Sequence, residues 1–383
     1  MCFIPQTFTN FAPMYLTHLT ILNYKNIEEA ELDFSPNINC FLGNNGEGKT
    51  NLLDAIHFLS LTRSMSMGTD SSNIRHGQES AMISGLYNMG EKVEEEITCA
   101  LRQNHAKTFR RNKKAYKRLS EHIGLLPIIL VSPNDHEIIS GGSEERRRLM
   151  DIVISQANPV YMSLVARYNK ALQQRNTILK QEEEPDDEII SIFEQIMAET
   201  GEQIYQIRSR FITEFTPIFQ QYYTRISASH ETVGLDYESH CTRGPLLDTI
   251  RKGRPKDRIM GFSLHGVHRD DLNMTIDGYP LRREGSQGQT KSFVISLKLA
   301  QFNFLRQAGN KTTPLLLLDD IFDKLDANRV EQIIGLAADE TFGQLFITDT
   351  NRENLNKILS KARGGYKIFG VKGGEVTEQK SRK

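Results

Sequence analysis

The sequence has only four cysteines in 383 residues, and Cys2, Cys40, Cys99 and Cys241 form no CxxC pair. That scatter excludes a cysteine zinc site and a disulfide framework, and it implies reduced thiols in a cytosolic protein. Long hydrophobic runs are also missing. Stretches such as GLLPIILV and PLLLL are far too short to cross a bilayer. No basic residue precedes Lys25, so the charged start of a secretory signal is lacking. Net charge is nearly nil: 47 Lys and Arg stand against 48 Asp and Glu, for −1 overall. The chain therefore does not coat nucleic acid by bulk charge, and any such contact needs a local basic patch. There are no internal repeats. These absences lead us to expect a cytoplasmic protein with no membrane partner.

What is present suits a folded protein of more than one domain, with 38% hydrophobic and 25% charged residues. Residues 1–13 show no periodicity and read as a loose tail ahead of Met14. From Tyr15, YLTHLTILNY and EAELDF alternate as strands do, and NINCFL runs into a glycine loop. NLLDAIHFLSL then puts Leu52, Leu53, Ile56 and Leu59 on one helical face. SAMISGLY, EEEITCAL and PIILVSP read as further strands, and TFRRNKKAYKR as a basic hairpin tip. After Gly141-Gly142 the texture turns helical, with Ser143 as N-cap. Two antiparallel helical stretches flank the acidic EEEPDDE connector, and GRPKDRIMG reads as the exit linker. LNMTIDGYPL is a strand pair with an Asp-Gly turn. TPLLLLDDIF and QLFITDT are buried strands, and YKIFGVKGGEV is a last hairpin. The expected division is a tail (1–13), an α/β core (14–142 with 262–383) and an inserted, mainly helical lobe (143–261).

Gly43-Asn44-Asn45-Gly46-Glu47-Gly48-Lys49-Thr50 fits GxxxxGK[ST] between a strand and a helix. Glycines let backbone N–H groups cradle phosphate oxygens, and the following helix points its positive end at the same anion. Lys49 then reaches the outer phosphates, and the Thr50 hydroxyl ligates Mg²⁺. PLLLLDD ends a buried strand in two acids. Asp319 suits the water shell of Mg²⁺, while Asp320 points elsewhere and suits a general base. GSQGQTK offers Ser286, Gln287, Gly288 and Gln289 at the start of a helix, either as an anion site or as a plain capping loop.

P-loop, long insertion, SQGQ and LLLLDD followed by LDANR stand in the order found in the ATP-binding-cassette heads of SMC-like repair proteins. The segments RHGQE, SPNDHEIISGGSEERRRLMD, YNKALQQRN, HGVHRDDL and SQGQTKSFVISLKLAQ resemble the RecF family more closely still. The likeness covers nearly the whole chain from Met14.

This resemblance implies an α/β P-loop NTPase of the ABC-ATPase head type with an inserted helical lobe. It implies that Ser286–Gln289 is a signature motif serving the nucleotide of a second subunit, and that Leu325-Asp326 is a loop lying across that interface. It further implies ATP and Mg²⁺ as cofactors, with Lys49, Asp320 and Ser286 doing the chemistry in a weak, DNA-stimulated ATPase. The implied role is an ATP-closed homodimer in recombinational repair and replication. Such a dimer binds single-stranded or gapped DNA, or its junction with double-stranded DNA, and promotes RecA loading with RecO and RecR. Three positions depart from the family pattern. Thr348 stands where related ATPases often have a switch histidine, the run RSMSM lacks the arginine usual shortly after LTRS and leaves Arg63 nearest, and FDKLD replaces Ser-Glu before Leu-Asp.

Arg110, Arg111, Lys113, Lys114, Lys117 and Arg118 form a dense patch that is either a phosphate contact or a solvated hairpin tip. Arg146, Arg147 and Arg148 cannot all face one way on a helix, so one or two should anchor the lobe. HGVHRDD has a histidine spacing that suits a metal, yet the P-loop system already accounts for the acids. Among rivals, a small-molecule kinase leaves SQGQ and LDANR unused, and a transporter-coupling ATPase leaves HGVHRDDL unexplained. An overcoming-lysogenisation-type nuclease needs a further acidic domain.

Overall fold

The computed structural model describes residues 14–66, 68–90, 93–182, 186–227, 231–308, 312–320, 343–361 and 364–382. The tail 1–13 and the loop carrying Leu325 and Asp326 lie outside them. The chain forms two compact units, Met1–Pro133 with Leu305–Lys383, and Asn134–Phe304.

The first unit opens with strands β1 (Tyr15–Tyr24), β2 (Ile27–Asp33) and β3 (Ile38–Leu42), then helix α1 (Lys49–Leu61). Strands β4 (Ser80–Asn88), β5 (Glu94–Arg102), β6 (Thr108–Arg111), β7 (Lys114–Ala115) and β8 (Ile128–Val131) follow. The second unit begins with α2 (Glu137–Ser140), α3 (Ser143–Ala157), α4 (Pro159–Leu179) and α5 (Asp187–Ser227). It continues through β9 (Val233–Glu238), α6 (Leu246–Met260), β10 (Asp271–Ile276), β11 (Tyr279–Pro280), α7 (Leu281–Glu284) and all but the last turn of α8 (Gln287–Gln307). The chain then returns to the first unit with β12 (Leu315–Asp319), β13 (Leu345–Asp349), α9 (Arg352–Lys361), β14 (Tyr366–Lys372) and β15 (Glu375–Arg382).

In the first unit one sheet runs β2-β1-β4-β5-β6-β7 and is antiparallel. The other runs β15-β14-β3-β13-β12-β8, parallel throughout except for β15 at its edge. β12 and β13 are buried at every position, which is why they read as continuous apolar runs rather than alternating ones. Phe34, Phe41, Phe346 and Phe369 pack ring on ring against this sheet, with centroids 5.0–6.4 Å apart. Helix α1 touches β1, β4 and β5 of one sheet and β8, β12 and β13 of the other. Its sequence reads as a helix with one apolar face, but two sheets cover it, so Ala55 and Phe58 are as buried as Leu52, Leu53, Ile56 and Leu59.

In the second unit α4 and α5 run antiparallel, and their partners step by seven residues on each helix. Tyr161 meets Arg208, Tyr168 faces Gly201, and Arg175 pairs with Glu194. Such a seven-residue step keeps one seam of each helix facing the other. Gly201 is needed there, because an added Cβ would lie 2.6 Å from Leu246. Strands β11-β10-β9 form a small antiparallel sheet, turned at Asp277 and Gly278 with φ of 47° and 80°.

Three local expectations change. The helical stretch after Gly142 is two helices, not one, because Pro159 starts a new helix capped by Asn158. Asn158 Oδ1 accepts from Val160 N at 3.0 Å and Tyr161 N at 3.3 Å. The cap of α3 is Gly142, and Ser143 is already helical, its hydroxyl accepting from Arg147 at 2.7 Å. GRPKDRIMG is no linker but the second half of α6. Buried Asp257 ties the end of this helix to Arg175 at 2.7 Å and to Leu264 N at 2.9 Å. The compact units divide at 133/134 and 304/305. Pairing of β10 with β9, and of Asp271 with Arg146 at 2.6 Å, holds residues beyond 261 to the helices before them.

Candidate functional site

The glycine loop leaves β3 and enters α1 at Lys49. Gly43 lies so close to β14 that a Cβ would sit 2.3 Å from the Val371 carbonyl oxygen. Gly48 has φ of 111°, and a Cβ there would strike the Asn26 side chain at 2.7 Å. Lys49 is buried, and its ammonium donates to the Gly43 and Asn44 carbonyls at 2.8 Å each. The Thr50 hydroxyl donates to both Asp319 oxygens at 3.0 and 3.1 Å.

Asp319 ends β12, and Thr348, at the matching register of β13, donates to its Oδ1 at 2.8 Å. Thr348 Oγ1 in turn accepts the Asp320 N–H at 2.9 Å. Burial pushes the Asp319 carboxyl above its usual range and the Asp320 charge adds to it, while bonds from Thr348 and Thr50 and the Lys49 charge oppose the rise. Asp320 has φ of 46°, a left-handed conformation that aspartate tolerates. Its Oδ1 is buried without a hydrogen-bond partner among the described residues. A cavity of about 160 Å³ is lined by Asn45, Gly46, Gly48, Lys49, Thr50, Asn51 and Asp320. The Thr50 hydroxyl, the Asp319 carboxylate and the orphaned Asp320 oxygen are hard oxygen donors of the kind Mg²⁺ takes.

The fold thus brings Asp320 to the P-loop cavity, and Asp319 to the Thr50 hydroxyl at its edge. Glu47 differs from its neighbours, because its carboxylate accepts from Gly373 N in the β14–β15 turn. Asn26 is a brace that sequence reasoning missed. Its amide donates to the Glu47 carbonyl at 3.1 Å and accepts from Asn51 Nδ2 at 2.7 Å. Only the tight turn between two strand patterns marked its neighbourhood. Lys25, one residue earlier, pairs with buried Asp54 of α1. Asp54 also accepts from Tyr24 at 2.7 Å and Ser64 at 2.8 Å, which pins the loop carrying Arg63. Burial would raise the Asp54 carboxyl, but Lys25 and the bonds from the Met65 N–H and the Tyr24 hydroxyl outweigh it and hold it low. A second cavity, of about 550 Å³, opens beside Lys25, Asn26, Ser72, Ile74, Arg75 and His76.

Ser286–Gln289 lie in the second unit at the start of α8, with Ser286 and Gln287 exposed. The basic hairpin is β6–β7, turned at Asn112 and Lys113 with φ of 49° and 68°. Its root is held by Phe109, stacked 6.2 Å from Phe58 of α1. Arg111 is spent on Glu95 through bonds of 2.9 and 2.5 Å, whereas Arg110, Lys113, Lys114, Lys117 and Arg118 are exposed. Arg146 and Arg147 fasten α3 to Asp271 and to the Asp270 carbonyl. His268 bonds Tyr168 at 2.7 Å and the Ser263 carbonyl at 3.0 Å, and Asp270 accepts from Arg208 at 3.2 Å. Among the described residues no His, Cys, Asp and Glu side chains gather as a metal-ligand group. Nor is any described helix long and apolar enough to cross a membrane.

The family model described as RecF/RecN/SMC N terminal domain matches residues 15–375. A DNA replication and repair protein RecF from Phocaeicola vulgatus is 56% identical over 96% of this chain and 99% of its own. The protein of the same name from Bacteroides fragilis is 53% identical, over 96% and 100%. A solved structure of the recombination mediator protein RecF with ATPrS superposes with a TM-score of 0.87 at 29% identity, covering 96% of this chain and 99% of that one. An Smc head domain from Pyrococcus furiosus shares the fold with a TM-score of 0.57 at 17% identity, covering 96% of each chain. With an ABC-type ATPase head carrying inserted helices and this similarity along nearly its whole length, the chain belongs to the RecF family.

Proposed function

We propose that this chain is an ATP-operated DNA clamp of replication and recombinational repair. The observation that supports this best is the network Thr50–Asp319–Thr348–Asp320, with the unpartnered Asp320 oxygen beside the P-loop cavity. Backbone N–H groups from Gly43 to Gly48 hold the phosphates, and Lys49 neutralises the outer ones. Mg²⁺, held by Thr50 and by Asp319 through water, supplies charge neutralisation at the phosphates. Asp320 takes the proton of the attacking water. Ser286, Gln287, Gly288 and Gln289 of a second copy close on the same nucleotide, so ATP joins two heads formed by 14–142 with 262–383. Residues 143–261 act as the lobe, and slow hydrolysis reopens the clamp.

Single-stranded, gapped or junction DNA is the bound partner, reached by Arg110, Lys113, Lys114, Lys117 and Arg118. RecO and RecR join it to promote RecA loading in the cytoplasm. The relatives' names, DNA replication and repair protein RecF, and the RecFOR pathway named with the solved structures support this role. Turnover measured with and without gapped DNA, alongside sedimentation with ATP and Mg²⁺, tests it. Asp320→Asn should lower kcat by about 10²–10⁴ while ATP still binds, whereas Lys49→Ala should lose tight ATP binding. Wild-type turnover in the first variant or unchanged affinity in the second would overturn the assignment.

A further inference from the structure

Ser286 and Gln289 close a reciprocal pair of hydrogen bonds at the start of α8. Ser286 N–H donates to Gln289 Oε1 at 2.7 Å, and Gln289 N–H donates to Ser286 Oγ at 3.2 Å. This is a capping box, with serine first and glutamine three residues on. The box uses the Gln289 side-chain oxygen, so its NH₂ end must find another acceptor. It donates to Glu231 Oε1 at 2.7 Å. A carboxylate only accepts, so Glu231 decides which end of the amide faces Ser286. A flipped amide would set NH₂ against the Ser286 N–H and oxygen against the carboxylate, both repulsive.

Glu231 is itself held. Its Oε2 accepts from Tyr223 OH at 2.6 Å. Tyr223 is fully buried near the end of α5, its ring 6.3 Å from Phe219 and 6.1 Å from Phe293. A rigid chain of contacts therefore runs from the buried end of α5, through Glu231 and Gln289, to Ser286. Ser286 Oγ accepts within the box, which leaves its O–H proton available to an outside acceptor such as a phosphate oxygen. The serine is exposed, as that contact requires.

We propose that Glu231 is a positioning residue for the Ser286 loop. Through Gln289 it sets the direction in which the Ser286 hydroxyl is offered to a nucleotide held by a second copy of this chain. This rests on the clamp reading of Ser286 given above. Glu231 does not touch the nucleotide, so its removal should spare the P-loop of the same copy.

The test compares Glu231→Ala, Glu231→Gln and Ser286→Ala in the full chain. ATP affinity, kcat, ATP-dependent self-association and amide hydrogen exchange at Gln289 are read for each. Glu231→Ala should keep ATP affinity within about twofold, lower kcat roughly tenfold, weaken association and speed exchange at Gln289. Glu231→Gln should restore most of each, because its side-chain oxygen still accepts from Gln289. Slower turnover in Ser286→Ala with wild-type kcat and exchange in Glu231→Ala overturns the positioning role and leaves the clamp reading standing. Equal damage from Glu231→Ala and Glu231→Gln also overturns it, since the effect would then belong to the charge and not to the acceptor. Wild-type turnover and association in Ser286→Ala would remove the clamp reading and this inference together.

Discussion

The two units are held together by different physics. In the first, the parallel sheet buries leucines, isoleucine and a cluster of four phenylalanines, and its polar site residues stand at strand ends. In the second, the α4–α5 seam carries charges inside. Arg175 is fully buried between Glu194 at 3.0 Å, Asp257 at 2.7 Å and the Ser263 hydroxyl at 2.7 Å. Arg208, also buried, bridges Tyr161, Asp151, Asp270 and the Val267 carbonyl. An apolar interior is tolerant of which residue fills it, provided volume is kept. A buried, fully bonded charge network tolerates little, since removing one member strands the others. The first unit thus gains stability from bulk, and the second gains a single register from geometry.

The sharpest way to break this contrast is to attack both interiors. Arg175→Met keeps apolar volume yet takes the cation from Asp257 and leaves Glu194 with Arg254 alone. It should cost about 3–5 kcal/mol in denaturant unfolding. Leu317→Met, which likewise keeps apolar volume in the first unit, should cost less than about 1.5 kcal/mol. Equal losses would show that the two interiors do not differ as described.

Acid should blur the contrast, because each unit holds a histidine that its surroundings keep uncharged, His122 in the first and His268 in the second. His122 in the first unit meets the Leu59 carbonyl at 2.6 Å and Tyr116 OH at 3.0 Å, so Nε2 carries the proton and Nδ1 accepts. Burial pushes His122 from its ordinary 6.5 down to about 4, and the Arg111 charge adds to this while the Leu59 bond opposes it. Burial likewise lowers His268 in the second unit to about 4. The folded pKa lies below the unfolded one, so the fold gains stability above about 6.5 and loses it as pH falls towards 4. Each histidine should remove about 2–3 kcal/mol across that window. Unfolding midpoints taken from pH 7 to 4 should drop accordingly, and His122→Gln should flatten the slope. An unchanged slope in that variant would exclude His122 as a source.

Asn26 braces the P-loop from a strand turn through neutral hydrogen bonds. Asn26→Ala should weaken ATP binding by about 1–1.5 kcal/mol, roughly tenfold, with little loss of fold stability. Titration with ATP alongside a melting curve separates the two. Unaltered affinity would mean that the Gly373–Gly374 turn alone holds the loop.

Elements that local chemistry dictates are legible along the chain. Strand alternation, the glycine loop before Lys49, the apolar run ending at Asp319 and the Asp-Gly turn of β10–β11 were all readable, because each depends on neighbours a few residues away. The order of motifs also sufficed to identify the family. Tertiary structure alone decided the rest. It showed α1 to be covered on two sides, since only the fold lays a second sheet on it. It made GRPKDRIMG the end of a helix, since Asp257 finds Arg175 only across 82 residues of chain. It made Asn26 a brace and Thr348 the hub between Asp319 and Asp320. It turned Glu47 to the β14–β15 turn, although its place in the P-loop pattern says nothing of where its carboxylate goes. In each case the deciding partner is distant in sequence, and a bond between such residues leaves no periodicity or spacing to read.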